Sequence, residues 1–394
     1  MQRKVIVYRD LLLPYSETFI PAQVESLTTY QGFYVGTSRT GNAAAFIPSD
    51  RSIALSDRVT SAAFWKMALK LGGIVEGQWL RSLQALSADL IHAHFGIDGI
   101  WALFLARKLG LPLVVTFHGN DATGMDRHPL GQGRVNPLDF FGQRGQFFRD
   151  LYVSRRGQLF TEATCIIAVS EFIREQLIQK GCPAEKVKVH YIGVDVDKFT
   201  PDPTIPRELV VLFVGRLVEK KGCEYLIRAI AQVQTILPDV ELVVIGDGPL
   251  RSALEQQAAN SLKHYRFLGA QSPEVVQNWM NRAAVFSVPS MTARTGDAEG
   301  FGMVFAEAQA MALPVVSFAT GGVPEAVAHG ETGFLAPEGD WETLAKYLLT
   351  VLQEPPIRER FAVAGRQRIA QHFNLKHNTA KLEAIYDSVL AKTG

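Results

Sequence analysis

The chain has 394 residues, of which 47% are hydrophobic and 20% are charged. At about 150 residues per domain this length predicts two sizeable domains, and the composition is that of a folded globular protein rather than a disordered or fibrous one. Lysine and arginine number 40 against 39 acidic residues, so the formal net charge is +1 and argues against attraction of the whole molecule to nucleic acid.

The cysteines and the first residues bear on location. Cys165, Cys182 and Cys223 are scattered and form no CxxC pair, so the sequence indicates neither a disulfide framework nor a thiolate metal site. A reducing compartment fits this pattern, and we expect a cytoplasmic protein.

Arg9 and Asp10 interrupt the first apolar run, which argues against a signal peptide. No apolar stretch approaches the roughly 18 to 20 residues of a membrane span, so we expect any contact with the inner membrane to be peripheral, on its cytoplasmic face.

Short apolar runs of strand length alternate with longer helical patterns along the whole chain. This alternation predicts an α/β fold in which parallel sheets are covered by helices on both faces. The predicted strands are residues 4–8, 90–93, 113–117, 165–169, 187–191, 209–214, 240–245, 284–288 and 315–318.

Two segments of the first half mix aromatic, aliphatic and basic residues. One runs from Phe64 to Leu71, with Trp79 and Arg81 beyond it, and the other spans residues 140–160. Such a mixture suits the headgroup region of a bilayer. Ordinary packing, with arginines whose charged ends reach water, is the alternative. A lipid-linked substrate would favour membrane docking.

Two predicted strands of the first half end in histidines. His92 and His94 lie two residues apart on one strand and therefore share a face, and His118 and Asp121 follow the next strand. Three histidines and an aspartate are a set of metal ligands. Metal-dependent hydrolases, however, draw further ligands from later strands of a single barrel, whereas this chain has a domain break there. A metal hydrolase is therefore a minor alternative, and it would lose activity in a chelator.

A proline-rich segment near the middle marks a domain boundary. Three prolines within residues 201–206 exclude a central strand or helix, and the preceding segment begins at Gly193. We place an N-terminal domain at residues 1–193 and a C-terminal domain at residues 194–375. Residues 376–394 form a last helix that can pack back on the N-terminal domain, although sequence alone does not decide which domain it joins.

Two loops of the second half follow apolar strands directly. Ligands of α/β sheets bind outside the carboxyl ends of the strands, so Arg216 and either Lys220 or Lys221, within residues 214–222, can neutralise a diphosphate. Solvated lysines are also common in such loops, and that alternative stays open. The glycine-rich loop at residues 246–249 is by itself more typical of a tight turn than of a ligand site.

Residues 297–307 are the most informative segment. Glu299 and Glu307 flank seven residues, and Gly300 and Gly302 form a Gly-x-Gly turn just before a helix start. In such a turn backbone N–H groups can face a phosphate at the positive end of the helix dipole. Glu307 can reach ribose hydroxyls and accept their hydrogen bonds. A solvated loop glutamate and an exposed helix glutamate explain the same spacing without a ligand.

Taken in order, these loops resemble the large retaining glycosyltransferase family 4 of the GT-B fold. The matching features are a VGRL-x3-KG loop, a GDGP loop, the glutamate-x7-glutamate segment, and the runs GGVPE at residues 321–325 and GETGFL at residues 330–335. The likeness covers almost the whole chain. It implies two Rossmann-like domains whose parallel sheets face a central cleft, the first binding the acceptor and the second a nucleotide-sugar donor.

The resemblance implies a donor site in the second domain. Arg216 and Lys221 hold the donor diphosphate, and Lys221 is preferred to Lys220 because the lysine of the family immediately precedes a glycine. Glu299 faces hydroxyls of the donor sugar, and Glu307 holds the ribose. The remaining donor-binding positions, which contribute mainly backbone contacts, are Gly215, Gly246, Gly300, Phe301, Gly302, Met303 and Val304.

In the first domain the resemblance implies that His118 acts beside the donor sugar at the inter-domain cleft, with Asp121 nearby. His94 lines the floor of that cleft, and His92 is structural. The implied catalytic set is therefore His118 together with Glu299 and the two cations of the donor loop.

Residues 16–19 read Ser-Glu-Thr-Phe, an opening that resembles the exopolysaccharide and colanic-acid branch of the family. Ser16 and Glu17 are therefore candidates for a place near the acceptor, and helix N-capping is the alternative for Ser16. This opening favours transfer of a hexosyl unit to a saccharide or lipid-linked saccharide during assembly of bacterial surface polysaccharide.

The implied reaction retains the anomeric configuration and needs no metal. Arg216 and Lys221 stabilise the charge of the departing diphosphate. We expect no cofactor besides the donor, because the one Asp-x-Asp motif, at Asp195 and Asp197, lies at the domain boundary. A nucleotide-sugar epimerase and a non-catalytic nucleotide-sugar-binding protein are the alternatives with the same architecture.

Overall fold

The computed structural model of the chain describes residues 2–12, 17–40, 47–126 and 140–393. Contacts divide the chain into two compact units, residues 1–193 with 375–394 and residues 194–374. Each unit is built on its own parallel sheet, with helices packed against the strands.

The first unit alternates strands and helices. Ser170 shows how a local rule sets one boundary: it follows a buried strand, and its Oγ accepts a hydrogen bond from the N–H of Ile173, which starts the next helix. The elements are β1 (Arg3–Tyr8), β2 (Leu11–Leu12), α1 (Phe19–Glu25), β3 (Tyr30–Gly36), β4 (Ser38–Arg39), β5 (Ser52–Ala54), α2 (Ala62–Gly72), α3 (Gly77–Gln84), β6 (Leu90–His94), α4 (Gly96–Leu109), β7 (Leu113–Phe117), α5 (Asn120–Thr123), α6 (Phe140–Glu162), β8 (Cys165–Ala168), α7 (Glu171–Gln179) and β9 (Val187–Val189).

Seven strands of the first unit form one sheet in the order β5-β3-β1-β6-β7-β8-β9, and all neighbouring pairs are parallel. Val5 of β1 pairs with Gly32 on one side and with Leu90 on the other. The chain therefore starts in the middle, runs outward through β3, and returns to the other side at β6. A ligand crevice is expected at this switch point, where the loops after β1 and β6 diverge.

The second unit has the same plan. Its strand β10 buries Val210, Val211, Leu212 and Phe213 in succession, which is the continuous apolar run expected of a strand covered on both faces. The elements are β10 (Glu208–Val214), α8 (Cys223–Ile236), β11 (Glu241–Ile245), α9 (Arg251–Ser261), β12 (Tyr265–Gly269), α10 (Pro273–Arg282), β13 (Ala283–Phe286), α11 (Met303–Ala310), β14 (Val315–Phe318), α12 (Val323–Ala326), β15 (Gly333–Ala336), α13 (Trp341–Gln353) and α14 (Pro355–His372).

The six strands of the second unit follow the order β12-β11-β10-β13-β14-β15, again with all neighbours parallel. Leu212 of β10 pairs with Val243 of β11 and with Phe286 of β13. This is the doubly wound order, and its switch point lies between β10 and β13. A ligand crevice is therefore expected where the loops after these two strands diverge.

The last helix, α15 (Leu375–Thr393), belongs to the first unit. The carboxylate of Glu383 accepts hydrogen bonds from the N–H groups of Thr28 and Thr29, at 2.8 and 2.7 Å. Leu382 and Tyr386 join the hydrophobic core beneath β1. The chain thus returns to its N-terminal unit after completing the second sheet.

The predicted α/β class is confirmed, since both sheets are parallel and all nine predicted strands are present within a few residues of their expected ends. Among the helices in the described part of the chain, none has both the length and the apolar character needed to cross a membrane.

Candidate active site

The loops after β10 and β13 meet at the switch point of the second sheet. Residues 215–222 follow β10, and residues 287–302 follow β13. The N–H of Met291 donates to the carbonyl oxygen of Lys220 at 2.8 Å, which joins the two loops through their backbones. Doubly wound sheets bind ligands at this position. The predicted donor residues of the two loops are therefore brought to one place.

The central contact between these two loops is an ion pair between Lys221 and Glu299. Nζ of Lys221 lies 2.5 Å from Oε2 of Glu299, and the hydroxyl of Ser290 donates to the same oxygen at 3.2 Å. Burial by itself raises the pKa of Glu299, but the positive charges of Lys221 and Lys220 outweigh it and hold the pKa below its usual value. Glu299 is therefore ionised, and a ligand that takes Lys221 must offer hydrogen-bond donors to this carboxylate.

The other two cations of the β10 loop differ in their surroundings. Nζ of Lys220 lies 2.9 Å from Oδ1 of Asp297, so this lysine is held by an ion pair of its own. Arg216 is exposed, and none of the described residues forms a hydrogen bond or ion pair with its guanidinium. Arg216 therefore offers its charge to solvent or to a ligand.

Helix α11 begins at this site with free backbone donors. Gly302, its N-cap, has a φ of 81°, a left-handed conformation that glycine adopts without strain. Within the described residues the N–H groups of Met303 and Val304 have no hydrogen-bond partner. The first N–H groups of a helix carry the positive end of its dipole, so they are able to bind an anion.

Glycines allow two further loops to close on the site. A Cβ at Gly322 would lie 2.0 Å from the carbonyl oxygen of Gly300, and the N–H of Gly322 donates to the carbonyl oxygen of Glu299 at 2.9 Å. On the other side the N–H of Gly215 donates to the carbonyl oxygen of Ile245, directly before Gly246. The GGVPE and GDGP runs thus pack against the loops after β13 and β10 and hold their backbones in place.

Glu307 lies in the second turn of α11 and has an unpaired carboxyl group. The residue is partly buried, and no hydrogen bond or ion pair joins its side chain to any described residue. Burial raises its pKa to about 7, and the charge of Lys198 offsets only part of that effect. A shielded carboxyl with no donor of its own is an open acceptor for ligand hydroxyl groups.

In the first unit His94 and His118 lie together near the carboxyl ends of β6 and β7. Nδ1 of His94 and Nε2 of His118 are 3.1 Å apart, and the rings are stacked with centroids 5.3 Å apart. His94 is buried, whereas His118 is partly exposed. Burial, with smaller effects of His92 and Arg9, lowers the pKa of His118 to about 3. Its imidazole is therefore neutral at physiological pH.

His92 and Asp121 are engaged within the fold. His92 contacts the hydroxyl groups of Tyr386 and Thr116, at 2.6 and 2.7 Å. Asp121 is buried and accepts a hydrogen bond from the N–H of Gly96 at 2.8 Å, together with others from its own turn. In the described part of the chain no three histidine, cysteine or carboxylate side chains are grouped so as to hold a metal ion. The metal-site alternative therefore lacks a ligand set among these residues.

An ion-pair network after β1 was missed by the sequence analysis. Arg9 donates to both carboxylate oxygens of Glu17, at 2.8 and 2.7 Å, and also pairs with Asp98 of α4. Glu17 therefore holds the loop after β1, and Ser16 lies outside the described residues. The signal available in the sequence was the charged pair of Arg9 and Asp10 directly after a buried strand.

Comparisons with known proteins agree with this arrangement. Residues 196–368 match the family model "Glycosyl transferases group 1", and residues 48–198 match "Glycosyltransferase Family 4". The chain is 31% identical over 294 residues to amylovoran biosynthesis glycosyltransferase AmsK of Erwinia amylovora, covering 73% of this chain and 67% of that protein. It is 30% identical over 318 residues to the putative colanic acid biosynthesis glycosyltransferase WcaL of Salmonella typhimurium, covering 78% and 72%.

Solved structures show the same fold. Anabaena Alr3699/HepE in complex with UDP-glucose has a TM-score of 0.73 at 20% identity, covering 98% of this chain and 99% of that one. Sucrose-phosphate synthase (tll1590) from Thermosynechococcus elongatus has a TM-score of 0.74 at 19% identity, covering 99% and 100%. The comparisons do not favour an epimerase or a non-catalytic binding protein. The chain belongs to glycosyltransferase family 4 and has the GT-B fold of two Rossmann-like domains.

Proposed function

We propose that the chain moves a hexosyl unit from a nucleoside-diphosphate sugar to a saccharide or lipid-linked saccharide, in the assembly of bacterial exopolysaccharide or another cell-surface polysaccharide. The observation that carries this proposal is the Lys221–Glu299 ion pair beside the free N–H groups at the start of α11. That place offers countercharge for a diphosphate and an acceptor for sugar hydroxyls. Relatives named for amylovoran and colanic acid biosynthesis, and a fold neighbour solved with UDP-glucose, support the substrate classes.

In this proposal the donor binds entirely on the second unit. Arg216 and Lys221 pair with the diphosphate, and the N–H groups of the α11 start add neutral donors to it. Glu299, released from Lys221, accepts hydrogen bonds from hydroxyls of the transferred sugar. Glu307 accepts hydrogen bonds from the ribose hydroxyls, which supply the donors that its carboxyl lacks in the free protein. In the complex the cations of the site therefore pair with the diphosphate, and its carboxylates accept hydrogen bonds from hydroxyl groups.

The proposed chemistry places developing charge beside these cations. The bond between the anomeric carbon and the diphosphate oxygen breaks, and a new bond forms from that carbon to the acceptor oxygen. The acceptor hydroxyl proton passes to the leaving diphosphate on the same face, so the configuration is retained. Lys221 and Arg216 stabilise the leaving group as its charge grows, and the transfer therefore needs no metal ion. His118 is the proposed catalytic residue of the first unit, which binds the acceptor.

The proposal places the enzyme in the cytoplasm, at the cytoplasmic face of the inner membrane when its acceptor is lipid-linked. A soluble saccharide acceptor would remove the need for that contact. The two cases are distinguished by comparing transfer to saccharides with transfer to a lipid extract of a polysaccharide-producing bacterium.

The proposal is tested by incubating the purified protein with UDP-, GDP- and ADP-sugars in EDTA and following nucleoside diphosphate release. One donor should support release that depends on an acceptor, and proton NMR of the product should show the anomeric configuration of the donor. Lys221→Met should lower kcat by about a hundredfold or more, while Lys346→Met, on the exposed face of α13, should not. An inverted product would refute retention, and the absence of release with any donor would refute the donor assignment.

A further inference from the structure

Helix α2 exposes an apolar stripe. Phe64, Met67, Leu71 and Ile74, the last just beyond the helix end, are 65%, 41%, 43% and 56% exposed. Phe64, Met67 and Leu71 are spaced by three and four residues and therefore lie on one face of the helix. Among the described residues of the first unit, six of the seven large apolar side chains that are exposed lie on this stripe or on α6. Four of these seven side chains are therefore carried by one short segment, residues 64–74, which is the pattern of an interaction surface.

The orientation of α2 is the reverse of that of an ordinary amphipathic surface helix. Lys70 is buried with its Nζ 2.5 Å from Oδ2 of Asp10, and Nζ of Lys66 lies 3.5 Å from the same oxygen. Asp10 is itself buried after β1, where an unpaired carboxylate would be strongly destabilising, so it holds both lysines inward. Turning the lysines inward turns Phe64 and Leu71 outward, against the usual distribution of these residue types.

Helix α6 extends the same surface. The guanidinium group of Arg155 donates to the carbonyl oxygens of Lys70 and Leu71, at 2.9 and 2.7 Å, so it fixes α6 against the end of α2. This contact also places a cation beside the stripe. Phe147, on the same helix, is exposed and adds to the apolar area. The surface thus combines side chains from both segments in which the sequence mixes aromatic and basic residues.

Charge indicates what covers this surface. Within the described part of the chain, the free cation of residues 58–75 is Arg58, because Lys66 and Lys70 are paired with Asp10. The two acids that border the segment are engaged elsewhere: Asp57 pairs with Arg39, and Glu76 accepts hydrogen bonds from the first N–H groups of α3. Trp65 is partly exposed and packs edge-on against Phe64, with ring centroids 5.2 Å apart. Aromatic and aliphatic side chains on one helix face, bordered by arginines such as Arg58 and Arg155, are typical of helices that lie in the interface of a bilayer. Anionic headgroups add electrostatic attraction to such a surface.

We propose that the α2 stripe, defined as Phe64, Met67, Leu71 and Ile74, docks the protein on an anionic lipid bilayer. The helix lies in the plane of the membrane with the four side chains inserted among the lipids, and Arg58 and Arg155 contact headgroup phosphates. This docking rests on the proposed function, because a lipid-linked acceptor has to be reached at a membrane surface. Binding to lipid is nevertheless measurable without donor, acceptor or catalysis.

The test is co-flotation of the full-length protein with vesicles of phosphatidylcholine, with and without about 30% phosphatidylglycerol. The wild-type protein should bind the anionic vesicles at least fivefold more strongly than the neutral ones, and rising salt should weaken the binding. Phe64→Glu/Leu71→Glu should bind at least tenfold more weakly. The matched control is Ile236→Glu/Val363→Glu, which adds the same two charges at exposed apolar positions of the second unit and should bind within twofold of wild type.

Each variant is first checked for an unchanged thermal midpoint and unchanged nucleotide binding, so that loss of folding or of the donor site is not mistaken for loss of docking. The proposal is overturned if the wild-type protein stays unbound, or if the stripe variant floats like wild type. It is also overturned if light scattering shows a dimer that the stripe variant abolishes while neither protein binds vesicles, since a second copy then covers the stripe. Vesicle binding without any glycosyl transfer would support the docking surface and count against the proposed function alone.

Discussion

Replacing Glu307 with glutamine is expected to stabilise the ligand-free protein and to weaken nucleotide binding at the same time. The carboxyl of Glu307 is partly buried and unpaired among the described residues, and burial raises its pKa to about 7. In the free protein this carboxylate is therefore a destabilising group. Glutamine keeps the size and an acceptor oxygen but removes the charge.

The magnitude follows from linkage between protonation and folding. Because the folded pKa of about 7 lies above the usual value of 4.5, the folded state holds its proton longer than the unfolded state. Stability is therefore lost as pH rises from about 4.5 to 7 and is constant above that range. At about 1.4 kcal/mol per pKa unit the loss at pH 8 is at most about 3.5 kcal/mol, and at pH 5 it is less than about 1 kcal/mol.

The assay is denaturant or thermal unfolding of wild type and Glu307→Gln at pH 5 and pH 8 without ligand. The variant should be more stable by up to about 3.5 kcal/mol at pH 8, with a much smaller gain at pH 5. Each kcal/mol corresponds to about 2 to 4 °C in the thermal midpoint. Nucleoside diphosphate should bind the variant at least about tenfold more weakly, because hydrogen bonds from ribose hydroxyls to a carboxylate are stronger than those to an amide.

The matched control is Glu359→Gln on α14, an exposed glutamate of the same unit that should change stability by less than about 0.5 kcal/mol at either pH. Destabilisation of Glu307→Gln at pH 8 would show that the carboxylate has a stabilising partner and would refute the reasoning. An equal gain at both pH values would refute the assignment of the effect to ionisation.

Three further outcomes are expected. Lys221→Met should destabilise the protein by about 3 to 5 kcal/mol in unfolding experiments, because it leaves Glu299 buried without its ion-pair partner. Lys221→Met/Glu299→Gln should recover most of that stability, but its initial rates should show no transfer activity. Affinity for the sugar nucleotide, whose diphosphate diester does not titrate in this range, should rise about tenfold from pH 6 to pH 8 as Glu307, with a pKa of about 7, ionises, and Glu307→Gln should lose that dependence in calorimetric titrations; a retained dependence would contradict the assignment. His118→Ala should lower kcat, and since the pKa of His118 is about 3, the wild-type rate profile should show no limb from this residue between about pH 5 and 8.

Most of the strands that sequence patterns predict are buried on both faces, the partly buried edge strand β9 being an exception. The runs at residues 113–117 and 315–318 coincide with β7 and β14, because a central parallel strand is continuously apolar. Strand β3 was missed because Gln31 and Gly32 break its apolar run, and the sheet-edge strand β12 was missed because it is only partly buried. Pairing with neighbours, rather than local composition, stabilises these strands.

The candidate site, like the fold, was predicted from the sequence only in part. The resemblance to glycosyltransferase family 4 predicts that Lys221 and Glu299 belong to one site. It does not predict that they pair directly, or that Ser290 donates to the same carboxylate, because those contacts depend on how two loops fold against each other. The contact of Arg9 with Asp98 joins residues 89 positions apart and has no signature in either local sequence.

The most direct measurement is calorimetric titration of UDP, GDP, ADP and their sugar conjugates, in EDTA, into wild type and Lys221→Met/Glu299→Gln. If the loops after β10 and β13 form a nucleotide-sugar site, one nucleotide and its sugar conjugate should bind wild type at one site per chain. The double variant, folded but without the ion pair, should bind them at least about tenfold more weakly. Absence of binding by any nucleotide, or equal binding by both proteins, would contradict the assignment of these loops to the donor.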